Sequence, residues 1–117
     1  MLNKNDFFKM AATAHKDVDV PGFGVVRVKQ LSDVERFRHY DQWARDDNGE
    51  VVKERQQELP YRLVVLCCYL IDDQGETAGR LFDDDDQERL AQSSTSAIIG
   101  LIETAVDLNT GEPIEKK

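Results

Sequence analysis

Leu63-Val-Val-Leu-Cys-Cys-Tyr-Leu-Ile71 is the most apolar stretch of this chain, so we expect it to be buried. Its β-branched content leaves a central strand open as an alternative to a core helix. We predict a core helix, because the stretch lies within a longer helical pattern and ends at Asp72-Asp73-Gln74-Gly75. Pro60 either kinks that helix or lies in the first turn of a new one, since proline lacks an amide proton and collides with the preceding turn.

Towards the N-terminus the sequence predicts a short helix and a hairpin. Asn5 is a candidate N-cap for a helix from Asp6 to His15, in which apolar residues recur at helical spacing. Val18 to Val28 alternates apolar and polar residues on both sides of Pro21-Gly22, which is a turn signal. We therefore predict a β-hairpin over this segment.

A second helix is predicted from about Asp33 to Arg45. Ser32 and Glu35 have the spacing of a capping box, in which each side chain bonds the other residue's backbone amide. One side of this helix carries a stripe of apolar residues: Val34, Phe37, Tyr40, Trp43 and Ala44. The helix should stop at Asp46-Asp47-Asn48-Gly49, which contains an Asn-Gly turn.

Two further helices are predicted after the apolar stretch. Asp83 is a candidate N-cap for a helix to about Gln92. The last helix ends at Asn109-Thr110-Gly111 and carries an apolar stripe of Ile98, Leu101, Ile102, Ala105 and Leu108. Together these patterns predict an α+β fold, a mostly helical single domain over residues 1–111 with a short N-terminal β-hairpin. Residues 112–117 are expected to form a flexible C-terminal tail.

The charge of the chain is unevenly distributed. The net charge is −8, and residues 72–117 hold 12 acidic and 4 basic residues, whereas residues 1–71 hold 11 of each. Such a surface repels phosphate, so we expect neither nucleic acid nor an anionic membrane as a partner. The acidic run from Asp72 to Glu88 is either a solvated face or an acidic surface for a basic partner.

Residue patterns for catalysis, metal binding or cofactor binding are missing from the sequence. His15 and His39 have no other ligand at metal-binding spacing, and Gly22-Phe23-Gly24 lacks the third glycine of a dinucleotide loop. Neither Gly75 nor Gly79 gives a calcium-binding EF-hand frame. We expect no enzyme activity, no cofactor and no metal site. Cys67 and Cys68 are expected to be reduced, buried core residues, and no stretch has the length of a membrane span, so we expect a cytoplasmic protein.

The order of several segments resembles the tail assembly chaperones of long-tailed bacteriophages with non-contractile tails. The resemblance runs from about Phe7 to Asn109. It consists of the Phe-Phe and Ala-rich N-terminal segment followed by Val18 to Val28, Leu31 to Arg36, Arg62 to Cys67, Leu81 to Asp86 and a closing amphipathic helix that ends at Leu108-Asn109.

This resemblance implies a non-enzymatic assembly factor. Such chaperones keep the long, helical tape measure protein soluble and help tail tube subunits polymerise around it. They often exist also in a longer, frameshifted form, which would bring the major tail protein as a second partner. The resemblance places the protein in the host bacterial cytoplasm and not in the mature virion.

The candidate client or self-association surface comprises large apolar residues near chain ends or loop edges: Phe7, Phe8, Met10, Tyr40 and Trp43. The alternative is that these side chains simply complete the core. The chain also carries more apolar stripes than a small domain can bury, so we expect a homo-oligomer. The rival functional hypothesis is an acidic inhibitor that mimics nucleic acid, or another acidic protein-binding adaptor.

Overall fold

The computed structural model describes residues 3–93 and 95–109. The helices are α1 (Lys4–Met10), α2 (Asp33–Glu35), α3 (Lys53–Gln57), α4 (Leu59–Cys67), α5 (Gln87–Ala91) and α6 (Thr95–Asn109). A π-helical turn (Arg36–Asp41) continues α2, and a 3-10 turn (Asp84–Asp86) leads into α5. The strands are β1 (His15–Val20), β2 (Gly24–Lys29), β3 (Cys68–Ile71) and β4 (Thr77–Arg80). The tail predicted over residues 112–117 lies outside the described residues.

The strands form a single antiparallel sheet in the order β1-β2-β3-β4. The hairpin predicted between Val18 and Val28 is confirmed as β1 and β2. The prediction of a mostly helical domain with strands only at the N-terminus is wrong, because β3 and β4 come from the second half of the chain. The fold is α+β with a four-stranded sheet at its centre.

The apolar stretch that we predicted to be one helix divides into a helix and a strand. Helix α4 ends at Cys67, and Cys68 adopts extended backbone angles (φ −95°, ψ 131°) as β3 begins. Cys68 pairs with Val28 of β2, so the hairpin gains a third strand. The spacing of apolar residues does not distinguish helix from strand here. Helix α4 is buried on several sides, and β3 has only four residues, so the two segments together form one continuous apolar run.

One face of the sheet packs against α4 and α6. Val26 and Val28 of β2 are fully buried there with Val64 of α4. Helix α6 contributes Ile98, Leu101 and Ala105 to the core, and all three belong to the predicted apolar stripe. On the opposite face Arg27 and Asp17 form an ion pair, with 2.9 Å between Nε and Oδ1. The sheet therefore has one apolar face, which positions the helices, and one polar face.

The predicted helix starts are confirmed at one position and shifted at another. Ser32 Oγ accepts from the Glu35 amide at 3.2 Å, and the Ser32 amide donates to Glu35 Oε1 at 3.0 Å, as the capping box predicts. The first helix starts earlier than predicted, because Asn3 and not Asn5 is its N-cap. It also ends before His15, which belongs to β1 and pairs with Lys29.

Pro60 lies in the first turn of α4, and therefore a new helix begins there instead of a kinked longer one. This is the position where a proline costs least, because the first amides of a helix have no partner within it. The preceding helix, α3, ends at Gln57.

Asn109 joins three parts of the fold. It is buried, and its Oδ1 accepts from the Leu31 amide at 2.7 Å. Its Nδ2 donates to the Ala105 carbonyl at 2.8 Å and contacts Cys67 Sγ at 3.5 Å. Its own carbonyl accepts from Arg36 Nη1 at 2.8 Å. One amide thus holds the end of α6 to the segment between β2 and α2 and to the end of α4.

We expect Asn109→Ala to lower the free energy of unfolding by about 1–3 kcal/mol, because the buried Leu31 amide loses its acceptor. Urea unfolding followed by circular dichroism measures the change. Asp107→Ala, at an exposed position of the same helix, is the control and should change stability by less than about 0.5 kcal/mol. Equal effects of the two substitutions would show that Asn109 does not hold these elements together.

Candidate functional site

The first part of the candidate surface is α1, whose large apolar side chains point away from the core. Phe7, Phe8 and Met10 are 56%, 62% and 73% exposed. The two phenylalanine rings meet edge to face, with their centroids 5.4 Å apart. Among the described residues α1 makes no extensive contact with another helix or strand. These three side chains do not complete the core.

The second part, Tyr40 and Trp43, is half-buried. Tyr40 packs against the core, and burial raises the pKa of its hydroxyl. It lines a depression together with Leu63 and Val106, whereas Trp43 lines a different one. The structure therefore does not unite the five predicted residues in one site.

The apolar stripe predicted between Val34 and Ala44 does not stay on one side of the chain. The Gln42 amide donates to the Phe37 carbonyl at 2.9 Å, a five-residue step that identifies the π-helical turn. Tyr40 and Ala44 face the core, whereas Val34 and Phe37 are exposed. A helix of constant 3.6-residue period does not produce this division.

Phe37 contributes to a depression that the sequence did not indicate. The depression has a volume of about 460 Å³, and Val51 and Leu59 also line it. Phe37 and Val51 are both exposed, while Ala44 beside them is buried. The residues that line the rest of the depression are mostly polar or charged: Asp41, Gln42, Arg45 and Gln56. The depression is therefore a concave surface of mixed polarity with large apolar side chains at its rim.

Arg62 is a buried cation that is not among the site residues predicted from the sequence. Its Nε donates to the His39 carbonyl at 2.9 Å, and its guanidinium lies 5.3 Å above the Trp43 ring. Its Nη1 is 3.4 Å from Asp84 Oδ1, which also accepts from Arg80 Nη2 at 3.1 Å. The sequence does contain a signal for the burial of Arg62. This arginine directly precedes the apolar run from Leu63 to Ile71, so the aliphatic part of its side chain has to be buried with its neighbours.

The two arginines lower the pKa of Asp84, chiefly through the hydrogen bond from Arg80. Burial lowers the pKa of Arg62 itself, and the carboxylate of Asp84 acts against that effect. Asp84 therefore stabilises the folded state when it is ionised.

Both cysteines are buried, and burial raises the pKa of each thiol to about 12. At neutral pH a thiolate is therefore strongly disfavoured, and a cysteine nucleophile needs a thiolate. The side chain of His39 is exposed, and its described interaction with Arg62 uses the backbone carbonyl. A catalytic pair with Cys67 as the nucleophile and His39 as its base is therefore disfavoured.

Within residues 3–93 and 95–109, no group of three or more His, Cys, Asp or Glu side chains lies close enough together to hold a metal ion. At the acidic run, the Asp83 amide donates to Asp86 Oδ2 at 2.8 Å, and Asp83 has the extended backbone of an N-cap (φ −89°, ψ 166°). None of the described helices combines the length and hydrophobicity needed to span a bilayer.

Comparisons of this chain with protein-family models, curated protein sequences and solved structures give no match.

We expect Asp84→Asn to lower the free energy of unfolding at pH 7 by about 0.5–1 kcal/mol, because the carboxylate is largely exposed and solvent screens its pairs. The folded-state pKa lies below the ordinary value of 3.8, so the carboxylate stabilises the fold above that pH. Its contribution is lost as the pH falls through the lowered folded-state pKa. The difference between wild type and variant in urea unfolding should shrink below about pH 4. Asp85→Asn is the control, and a difference that does not vary with pH would contradict the assignment.

We also expect Cys67 and Cys68 to react with a thiol reagent such as DTNB at pH 8 only after unfolding. The reason is that both thiols are buried and their pKa values are raised to about 12. The absorbance of the released thionitrobenzoate, with and without urea, measures the reaction. Rapid modification of the native protein would show that the thiols are accessible and active.

Proposed function

We propose that this protein is a non-enzymatic tail assembly chaperone that binds and solubilises the tape measure protein and promotes tail tube assembly. The observation that supports the proposal most is helix α1, which exposes Phe7, Phe8 and Met10 without close packing against the remaining described chain. The sequence resemblance to phage tail assembly chaperones points in the same direction.

The chemistry of α1 suits a helical client. Exposed aromatic and methionine side chains lose unfavourable contact with water when they pack against an apolar helix face. A long amphipathic helix presents such faces at intervals of three and four residues. Contacts of this kind are non-directional, so one short helix can cover many segments of a long helical client. This activity consists of binding and requires no catalysis by the protein.

The depression lined by Phe37, Val51 and Leu59 supports the expectation of self-association. It exposes Phe37 and Val51, which are separate from the residues of α1, and two different surfaces on one chain permit head-to-tail contacts between copies. In the proposed function the copies assemble around the client in the host bacterial cytoplasm and leave before the virion is complete. A longer frameshifted form would recruit the major tail protein.

An acidic nucleic-acid mimic or adaptor is the second candidate, and the exposure of Asp83, Asp84 and Asp85 favours it. The two functions differ in their response to salt. A mimic should lose its partner steeply as the ionic strength rises, whereas apolar client binding should be nearly indifferent to it.

We expect the double variant Phe8→Ser, Met10→Ser to stay folded and to fail to keep co-expressed tape measure protein soluble. Both side chains are exposed, so their loss should leave the core intact while removing apolar contacts with the client. The measurement is the soluble fraction of the client after centrifugation, together with the circular dichroism of the purified variant. We expect the client's soluble fraction to fall by at least about half.

Phe23→Ser is the matched control, because Phe23 is exposed to a similar degree in the turn of the first hairpin. It should keep the client soluble. If the folded double variant protects the client as well as wild type does, α1 is not the client surface.

A further inference from the structure

The chain contains the same five-residue turn twice, and the two copies differ at a single position. Asp46-Asp47-Asn48-Gly49-Glu50 has asparagine where Asp72-Asp73-Gln74-Gly75-Glu76 has glutamine. The first turn joins Arg45 to Val51, which form an isolated antiparallel bridge, and the second turn joins β3 to β4. The asparagine of the first turn is thus followed by glycine in a tight surface turn.

The two turns also share their hydrogen bonds. In the first turn Asp46 Oδ1 accepts from the amides of Asn48 and Glu50 at 2.9 and 3.0 Å, and the Gly49 amide donates to the Asp46 carbonyl at 3.0 Å. Each of these bonds has a counterpart at the same position of the second turn, with a length of 2.9 or 3.0 Å. The glycine of each turn has a φ of about +80°. The two turns therefore have the same conformation and differ in the chemistry of one side chain.

An asparagine that precedes glycine reacts with its own backbone, and asparagine is accordingly one of the thermolabile residues. The glycine nitrogen attacks Cγ of the asparagine side chain, a C–N bond forms, and the side-chain nitrogen leaves as ammonia with the proton of the attacking amide. Water then opens the five-membered succinimide ring at one of its two carbonyl carbons. The products are aspartate or isoaspartate, in which the main chain runs through the former side chain. The sum of the two steps exchanges ammonia for water and needs no oxidant or reductant.

The surroundings of Asn48 favour this reaction. Asn48 is exposed, and its described hydrogen bond uses the backbone amide, so the side-chain amide is accessible. Gly49 has no Cβ to hinder its nitrogen. Apart from the chain neighbours of Gly49, no described atom lies within 4 Å of the place that a Cβ would occupy.

The bond from the Gly49 amide to the Asp46 carbonyl has to open before the nitrogen can attack. The first turn is held at its base by the single bridge between Arg45 and Val51, whereas the second turn continues into two paired strands. Opening of the first turn is a local event, and local opening costs far less free energy than global unfolding.

The three other asparagines of the chain are less suited to the reaction, because none of them precedes glycine. Asn3 caps α1, where its Oδ1 accepts from the Asp6 amide at 2.9 Å. Asn5 lies within α1. Asn109 is buried, and both ends of its side-chain amide are hydrogen-bonded.

We propose that Asn48 is a site of spontaneous covalent modification, at which the folded protein converts asparagine to aspartate and isoaspartate. Either product adds one negative charge to the net charge of −8. Isoaspartate also adds one atom to the main chain between Arg45 and Val51, and it displaces the Gly49 carbonyl, which accepts from Arg45 Nη1 at 2.8 Å. The modification follows from the turn itself and does not depend on the proposed function.

Peptide mass spectrometry of the full chain, kept folded at pH 8 without denaturant, tests the proposal. We expect the tryptic peptide of residues 46–53 to gain about 1 Da, and an isoaspartate methyltransferase assay to label part of the product. The synthetic peptide of the same residues gives the reference rate. The folded chain should react at most about a hundredfold more slowly than this peptide, because only the turn has to open.

A slower reaction would overturn the proposal, since a site that reacts only after global unfolding is slower than the free peptide by about a thousandfold or more. An earlier mass gain at Asn3, Asn5 or Asn109 would also overturn it. Circular dichroism of the incubated sample shows whether the chain stayed folded.

The second turn supplies matched variants, because one substitution gives either turn the sequence of the other. Asn48→Gln should abolish the mass gain in its peptide, since attack on a glutamine side chain needs a less favourable six-membered ring. Gln74→Asn should create a second modified site in the peptide that contains residue 74. Both positions are exposed, so we expect both variants to stay folded. A mass gain that persists after Asn48→Gln, or no gain at residue 74 after Gln74→Asn, would contradict the assignment to this turn.

Discussion

Helix α4 passes into strand β3 between Cys67 and Cys68 with no intervening residue, and the rest of the structure depends on this junction. The same apolar run has to be buried in the helical layer and, one residue later, in the sheet. Since side chains alternate between the two faces of a strand, a shift of one residue would place Tyr69 in the core and Cys68 on the polar face. The pairing of Cys68 with Val28 therefore sets the position of α4 over the sheet.

Two buried polar side chains hold the elements on either side of that junction. Asn109 bonds the Leu31 amide and contacts Cys67, which fixes the end of α6 against the end of α4. Arg62 bonds the His39 carbonyl and lies near Asp84, which fixes the start of α4 between the π-helical turn and the turn before α5. Polar groups suit these positions because a hydrogen bond has a direction, and apolar packing alone leaves neighbouring registers close in energy.

Several apolar and acidic side chains remain outside the core and form exposed surfaces. Helix α1 is held by its own capping box with Asn3, and it keeps its aromatic residues exposed. The depression beside Trp43 is acidic, although Trp43 itself stacks with Arg62.

The sequence by itself determined the elements whose cause is local. The Pro21-Gly22 turn, the bonds between Ser32 and Glu35, and the apolar stripe of α6 all depend on residues within one or two turns of each other, so their spacing predicts them. The sequence did not decide whether Phe8 is exposed, because an amphipathic helix has the same pattern of apolar residues whether or not another surface covers it.

Only the tertiary structure decided where the central apolar run changes from helix to strand. That change requires Cys68 to pair in the sheet with Val28, which is 40 residues away in sequence. The strand β4 consists of Thr-Ala-Gly-Arg, which lacks an apolar alternation and pairs only because β3 lies beside it. The bonds of Asn109 and Arg62 likewise join residues far apart in sequence, and neither residue type signals its partner. Local spacing carries no information about such contacts, because their free energy exists only when the whole core is assembled.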